Sequence, residues 1–174
     1  MVTAIILIVV FVAAVFASVA VRPGEFRIAR TLSMKAPAQD VYAMVADLRK
    51  LNTWNPFALQ EPQLKLNYSG ADSGRGAAYD WDGPKAGIGR MEVTEVDPPR
   101  SVAMKLDFSK PFQAHNQVLF TFQEIGGTTA VTWEMRGTQN MMMKVMSLFF
   151  SMDTMVGGEF EKGLNTLKSL TERK

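Results

Sequence analysis

The chain has 174 residues, enough for one domain and a short appendage, and its formal net charge is +2. No more than two Lys or Arg residues are adjacent, which argues against a nucleic-acid interface built on a basic cluster. The sequence has no cysteine and one histidine, so disulfides are excluded. Neither a zinc site nor a Cys/His nucleophile can form in the usual way from these residues.

An apolar run covers Val2–Val21 and contains only two polar residues. A helix of about 20 apolar residues is long enough to cross a bilayer. The run therefore predicts a transmembrane anchor at residues 1–22, followed by a domain at residues 23–174. A signal peptide cleaved near Ser18–Ala20 is the alternative, but no Lys or Arg precedes the run, which favours a retained anchor.

The flanking charges indicate the side of the membrane. Arg22, Arg27 and Arg30 follow the apolar run, and the positive-inside bias places such a flank in the cytoplasm. We therefore expect a single-pass membrane protein with a cytoplasmic domain. Because Glu25 dilutes the basic flank, the periplasmic side stays an alternative.

The domain begins with one strand and two short helices. Apolar and polar residues alternate over Phe26–Met34, the pattern of a half-buried strand. Residues 36–47 carry an apolar helical stripe, and Leu48–Trp54 predicts a second short helix. Asn55-Pro56 is expected to end it, since a residue before proline is disfavoured in a helix.

Six more strands are predicted between Leu64 and Gly137, separated by turns rich in Gly, Asp and Pro. The strand Ile88–Val96 is expected to contain a bulge, because Met91 and Val93 fit one alternation and Val96 the other. Tight turns between consecutive strands require antiparallel pairing.

A long helix is predicted within Asn140–Arg173. Its apolar residues recur at spacings of three and four, which describes one buried stripe: Phe149, Met152, Val156, Phe160, Leu164, Leu167 and Leu170. This element order predicts an α+β, helix-grip fold, in which a curved antiparallel sheet of about seven strands wraps around the long C-terminal helix.

A set of small, glycine and aromatic positions spread over Phe26–Leu170 carries a family resemblance: Ala36-Pro37, Val41, Asp47, Trp54, Tyr68-Ser69-Gly70, Gly74, Gly76, Trp81, Gly127-Thr128, Val131-Thr132-Trp133, Gly158, Phe160, Gly163, Leu164 and Leu167. In these positions the chain resembles the START-like (SRPBCC) superfamily of polyketide cyclases and lipid-transfer proteins, in its bacterial membrane-anchored type. That superfamily also includes the birch pollen allergen and a chaperone-ATPase activator.

The resemblance implies a deep apolar cavity between the sheet and the C-terminal helix, able to hold a lipid-, sterol- or polyketide-like molecule. It implies no shared catalytic set, and we expect no cofactor, metal or catalytic residue. The predicted ligand-binding residues are inward aromatic and Met side chains together with part of the helix stripe: Trp54, Tyr68, Tyr79, Trp81, Met104, Phe120, Phe122, Trp133, Met135, Met152, Asp153, Val156 and Phe160.

Three positions allow a functional and a structural interpretation. Asp153 beside the helix stripe is either a buried carboxylate with a raised pKa or, by preference, a helix-boundary residue. His115 is expected to point outward by strand alternation. Gly157-Gly158 gives room either to a ligand or, slightly preferred, to a closely approaching strand.

Three functional hypotheses follow. The first is a membrane-anchored binding or transfer module for a hydrophobic small molecule. The second is an enzyme of the cyclase or hydratase kind, with Asp153, Tyr79 or Tyr68 as acid–base groups. The third is a module that binds a protein partner, such as a chaperone. All three involve the membrane through the N-terminal run, and none involves nucleic acid.

Overall fold

The computed structural model describes residues 24–139, 144 and 151–172. Seven strands follow in chain order: β1 Glu25–Met34, β2 Lys65–Gly70, β3 Ala77–Gly83, β4 Gly87–Asp97, β5 Ser101–Lys110, β6 Ala114–Ile125 and β7 Thr128–Thr138. They form one curved sheet in the order β1-β7-β6-β5-β4-β3-β2, and every neighbouring pair is antiparallel. The predicted strand number and pairing are confirmed.

The helices are α1 Ala38–Ala46, α2 Leu48–Leu51, α3 Pro56–Leu59 and α4 Met152–Thr171. The second helix ends before Asn55-Pro56, as expected, and the same pair also begins α3, a helix that was not predicted. The Asn55 side chain accepts a hydrogen bond from the backbone N–H of Phe57 at 3.2 Å. Pro56 occupies the first helical position, where its missing N–H costs nothing.

The bulge predicted in β4 is present. The register between β4 and β5 shifts between Val93 and Glu95, and a second irregularity lies between Ile88 and Gly89. An extra residue in one strand reverses which side chains face inward beyond it. Met91 and Val93 are buried before the shift, and Val96, of the other parity, packs partly buried against the core beyond it.

The antiparallel register divides the sheet into two ends, which we name after residues of β1. At the Glu25 end, β1 begins and β7 ends, and the β3–β4 and β5–β6 turns lie there as well. At the Met34 end, β1 ends and the β6–β7 hairpin turns at Ile125. The helix α4 begins near the Glu25 end, where the Gln139 amide contacts Met152 Sδ at 3.4 Å. It ends near the Met34 end, where Lys168 Nζ bonds the carbonyl of Ser33.

One arginine of β1 fastens the first half of α4 to the sheet edge. The guanidinium of Arg30 donates to Asp153 Oδ2 at 2.8 Å and to Glu161 Oε1 at 2.7 Å. Gly157 lies between these two acids along the helix, and a Cβ there would come within 2.2 Å of Arg30 Nη2. The preferred interpretation of Gly157-Gly158, close approach of a strand, thus agrees with the structure at Gly157, whereas a Cβ at Gly158 would have no neighbouring atom within 4 Å.

At the Met34 end, buried side chains of the sheet, α1 and α4 form a core. Trp54 is fully buried, donates from Nε1 to the carbonyl of Met44 at 3.1 Å, and meets Phe120 edge-on with ring centroids 6.0 Å apart. Val41 and Val45 of α1 and Leu164 and Leu167 of α4 complete this core: all four are buried.

The predicted N-terminal anchor lies outside the described residues, as does the predicted helical tail before Ser151 apart from Lys144. Within the residues that the structure does describe, no helix is long and apolar enough to cross a membrane.

Candidate ligand-binding cavity

An apolar cavity of about 370 Å³ opens at the Glu25 end, between the inner face of the sheet, α3 and the first turns of α4. Ligand sites in proteins typically have volumes of about 300 to 1,000 Å³. Phe26 at the start of β1 and Phe112 in the β5–β6 turn border it near the opening. Phe112 and Phe57 of α3 line the cavity and are themselves exposed, so the cavity wall reaches solvent at these residues.

Stacked aromatic rings form the inner limit of the cavity. Trp133 of β7 and Phe160 of α4 stack nearly parallel, with centroids 4.1 Å apart and planes 8° apart. The ring centroid of Phe120 on β6 lies 5.0 Å from that of Trp133, on the same wall. The ring of Trp54 lies behind Trp133, with the two centroids 5.6 Å apart. Gly163 permits this packing, since a Cβ there would lie 2.9 Å from both Trp133 Cζ3 and Pro56 Cδ.

Two buried polar atoms of cavity-lining residues have no hydrogen-bond partner among the described residues: Asn116 Oδ1 and Trp133 Nε1. Such atoms are rare in folded proteins, because an unpaired buried polar group costs free energy. The Asn116 amide lies against Gly137 on β7, where a Cβ would come within 2.0 Å of Oδ1. Because Gly137 has no Cβ, the Asn116 amide fits at this position.

A buried phenol adds a further polar group to the cavity wall. Burial raises the pKa of Tyr79 well above its usual range, and the nearby Asn52 and Asn55 amides only partly oppose this. Tyr79 is therefore a neutral phenol at physiological pH, able to donate or accept a hydrogen bond but not to act as a base. The Asn55 amide is itself held by Asn52 Oδ1 at 3.0 Å, which fixes the pair beside the phenol.

The β3–β4 turn at the Glu25 end is held by a buried carboxylate. Glu61 accepts the backbone N–H groups of Lys85 at 2.9 Å and Ala86 at 2.8 Å. Trp81 Nε1 donates to the carbonyl of Ala86 at 3.2 Å, which places the indole against the cavity with its polar atom satisfied. This part of the cavity border is therefore fixed by hydrogen bonds rather than by apolar packing alone.

The structure brings most of the predicted ligand-binding residues together around the cavity: Tyr79, Trp81, Phe120, Trp133, Met135, Met152, Val156 and Phe160. Trp54, Met104 and Phe122 are buried in the core beyond the inner wall. Tyr68 lines a separate surface depression, where the Arg49 guanidinium lies 4.2 Å above its ring. Its inward alternation was read correctly, but β2 is an edge strand beyond the cavity.

Asp153 lies outside the cavity, on the exposed side of α4. Hydrogen bonds from Arg30 lower the pKa of this carboxyl, the opposite of the raised value that an acid–base role in the cavity requires. Ser151 caps the helix by accepting from the N–H of Thr154 at 3.2 Å, so Asp153 is a first-turn residue. His115 is exposed as predicted and bonds Asp107 Oδ1 at 2.7 Å.

Several lining residues were not among the predicted site residues: Phe26, Leu51, Asn55, Phe57, Ala58, Leu64, Ala86, Met91, Leu106, Phe108, Pro111, Phe112, Ala114, Asn116 and Val118. Phe26, Leu106 and Phe108 share the inward alternation of their strands, so the sequence held a signal for them. Asn116 lies on the same even-numbered face of β6 as Phe120 and Phe122, but it was not predicted as a lining residue because it is polar.

Comparison with known proteins agrees with this architecture. A family model described as "Polyketide cyclase / dehydrase and lipid transport" matches residues 25–172. A search of curated proteins gave no match. Among solved structures, protein CV1439 from Chromobacterium violaceum superposes with a TM-score of 0.60 at 15% identity, covering 87% of this chain and 99% of that one.

Two further structures share the fold at low identity. Ara h 8.0201 has a TM-score of 0.62 at 8% identity, covering 87% of this chain and all (100%) of the other. The di-domain ARO/CYC BexL from the BE-7585A biosynthetic pathway has a TM-score of 0.61 at 17% identity, covering 88% of this chain and 52% of that one. The family model, which spans nearly the whole described domain, shows that the chain belongs to the polyketide cyclase/dehydrase and lipid transport family.

Proposed function

We propose that this protein is a membrane-anchored module that binds or transfers a hydrophobic small molecule, of lipid-, sterol- or polyketide-like character, in the cavity at the Glu25 end. The observation that carries the proposal is the cavity of about 370 Å³, walled by aromatic and aliphatic side chains. Apolar walls favour an apolar occupant, because burying its surface removes it from water. The family description, which includes lipid transport, supports the same class of ligand.

The ligand also carries a polar group in this proposal. Asn116 Oδ1 and Trp133 Nε1 lack partners among the described residues, and Tyr79 of β3, a neutral phenol, also borders the cavity. A hydroxyl or carboxyl group on an otherwise apolar molecule can pair with such atoms. These few polar groups orient a ligand whose affinity comes from apolar burial.

The test is whether an apolar molecule occupies the cavity. Native mass spectrometry of the purified full chain should show a bound small molecule, and a fluorescent fatty acid should accept energy from Trp133 and Trp81. Ala114→Trp fills the cavity and should abolish that signal, whereas Ala103→Trp on β5, outside the lining, should retain it. Equal binding by the Ala114→Trp variant would refute the cavity as the site.

Anchoring through Val2–Val21 is part of the proposal and rests on the sequence. The basic flank gives less guidance on orientation than it first suggests, because Arg27 pairs with Glu134 and Arg30 with Asp153 and Glu161. These two arginines have structural reasons to be present whichever side of the membrane the domain occupies. We keep the cytoplasmic side as the proposal, and reporter fusions at the C-terminus would decide between it and the periplasm.

The cavity gives limited support to an enzyme. Asp153 lies outside it, which leaves Tyr79 as the remaining acid–base candidate that borders the cavity. A neutral phenol could act as an acid toward a ligand oxygen, and Tyr79→Phe would remove that hydroxyl while keeping the ring. If ligand binding survives in Tyr79→Phe and no turnover is lost, the binding function stands alone.

A further inference from the structure

The mouth of the cavity is bordered by apolar side chains that face water. Phe57 of α3 is 42% exposed, Phe112 of the β5–β6 turn is 44% exposed, and Met155 of α4 is 61% exposed. Phe57 and Phe112 border the cavity directly, and Met155 lies between two lining residues of α4, Met152 and Val156. Single exposed apolar residues are ordinary, but several at one opening mark an interaction surface. We call these three residues the rim.

The chain leaves the domain beside this rim. The carbonyl of Gly24 accepts the N–H of Gln139 at 2.6 Å, and the Gln139 side chain contacts Met152 at the start of α4. The apolar run ends at Val21, three Cα–Cα steps before Gly24, which is at most about 11 Å of chain. A bilayer that held this run would therefore lie close to the Glu25 end, where the cavity opens.

Basic side chains at the same end fit a membrane surface. Lys85 in the β3–β4 turn and Lys110 at the end of β5 are exposed, and neither has an ion pair with any residue that the structure describes. Lysines near an anionic surface are attracted to lipid headgroups. Glu25 and Asp82 lie at this end too and offset part of the charge, so the apolar rim carries most of the expected attraction.

We propose that the rim docks onto the lipid bilayer, so that the ligand passes directly between the membrane and the cavity without crossing water. The partner is the acyl-chain and headgroup boundary of the bilayer, which accepts aromatic and aliphatic side chains. This inference rests on the proposed function for the ligand and the anchor. It adds which face of the domain meets the membrane and the route that the ligand takes.

The first test uses the absence of cysteine from the sequence. Full chain carrying Phe112→Cys is labelled with a fluorophore and reconstituted into vesicles of phosphatidylcholine and phosphatidylglycerol that contain a nitroxide-labelled lipid. The matched control is Ile125→Cys at the Met34 end, where the native side chain is 83% exposed. We expect the lipid nitroxide to quench the label at position 112 and to leave the label at position 125 unquenched.

Other outcomes of this test overturn the proposal. Labels that are equally unquenched at both positions would place the rim in water. A label at position 112 that is shielded from water yet unquenched by lipid would mean that protein, such as a second copy of this chain, covers the rim.

The second test measures loading rate. Met155 is outside the cavity lining, so Met155→Ser should leave equilibrium occupancy by a fluorescent fatty acid unchanged and slow its uptake from vesicles several-fold. Ile125→Ser is the matched control and should slow nothing. An unchanged rate in Met155→Ser would overturn the direct route. Failure of the unsubstituted chain to bind the fatty acid at equilibrium would instead refute the proposed function, whatever the labels at the rim report.

Discussion

The Glu25 end and the Met34 end of the sheet are built from the same strands with the same alternation, yet one is hollow and the other is filled. At the Met34 end, Trp54 and the buried face of α1 occupy the space between sheet and α4. At the Glu25 end, the inward side chains of β5 and β6 border a cavity instead. The sheet alone therefore does not decide where a ligand can bind.

The difference lies in which helix covers each end. Residues of α1 such as Val41 and Val45 are fully buried against the sheet. The single turn of α3 at the other end buries Pro56 but leaves Phe57 exposed at the opening. A short helix capped by Asn55 is enough to support the cavity wall without filling the space behind it. The following predictions test this division, beginning with the largest effect.

Trp54→Ala should lower the free energy of unfolding by about 3 to 5 kcal/mol, because a large buried side chain is removed from a filled region. Its hydrogen bond to the carbonyl of Met44 is lost as well. Phe108→Ala, in the cavity wall, should cost clearly less, since Phe108 is half-buried and already borders empty space. Urea denaturation measures both. Equal costs would contradict the division into a filled and a hollow end.

Two glycines of α4 should respond to alanine with opposite sign. Gly163→Ala places a Cβ 2.9 Å from Pro56 and Trp133, so it should destabilise the fold by about 1 to 3 kcal/mol. Gly158 has no atom within 4 Å of the added Cβ, and Gly158→Ala should stabilise the helix by about 0.5 to 1 kcal/mol. Thermal unfolding separates the two variants. A gain of stability in Gly163→Ala would show that α4 is not packed against Trp133 as described.

Asn116→Leu should affect stability and ligand affinity in opposite directions. Replacing an unpaired buried amide by an apolar group of similar size should raise the free energy of unfolding of the empty protein by about 1 kcal/mol. Affinity for a long-chain alcohol should fall, because Asn116 Oδ1 can no longer accept a hydrogen bond from its hydroxyl. Denaturation and fluorescence titration measure the two quantities. Unchanged affinity would remove Asn116 from the proposed binding site.

Glu134 should make the free energy of unfolding depend on pH, with a smaller effect than the substitutions above. Burial tends to raise its pKa, but hydrogen bonds from Arg27 and Arg136 outweigh burial and hold the pKa below its ordinary value. The unfolded chain therefore binds a proton first as pH falls. The stabilisation is complete above about pH 4.3, the usual glutamate value, and is lost as pH falls through the folded pKa.

Glu134→Gln should flatten the acid part of the stability curve. Denaturation midpoints measured from neutral pH downward would show it. Asp153→Asn, which removes an exposed carboxyl whose pKa Arg30 also lowers, should flatten the curve less, because solvent weakens an exposed ion pair. If the denaturation midpoint of Glu134→Gln falls with decreasing pH as steeply as that of the unsubstituted protein, the ion pairs of Glu134 do not stabilise the fold as described.

The sequence predicted the sheet well because alternation is a local property. The inward faces of β5 to β7 and the bulge in β4 follow from residue parity, and the structure has both. Parity does not say how far along a strand the core ends and the cavity begins. Phe120 and Phe122 share one face of β6, yet Phe120 borders the cavity while Phe122 packs edge-on against Tyr42 with centroids 6.0 Å apart.

The remaining differences arise from contacts that no local pattern encodes. Trp54 lies behind the cavity wall because its indole reaches a backbone carbonyl of α1. Asp153 lies outside because Arg30, distant in sequence, draws it to the sheet edge. Asn116 could join the wall because β7 offers a glycine opposite it. Each depends on a partner that is brought near only by the complete fold.

The fastening of α4 by Arg30 has a consequence for how this sequence can vary. A Cβ at position 157 would lie 2.2 Å from Nη2 and 2.4 Å from Cζ of Arg30, so the arginine and the glycine occupy one shared space. Among related chains the two positions are thus expected to covary. A homologue with a larger residue at 157 should carry a shorter side chain at 30, and then the acids at 153 and 161 lose their common partner and become free to change.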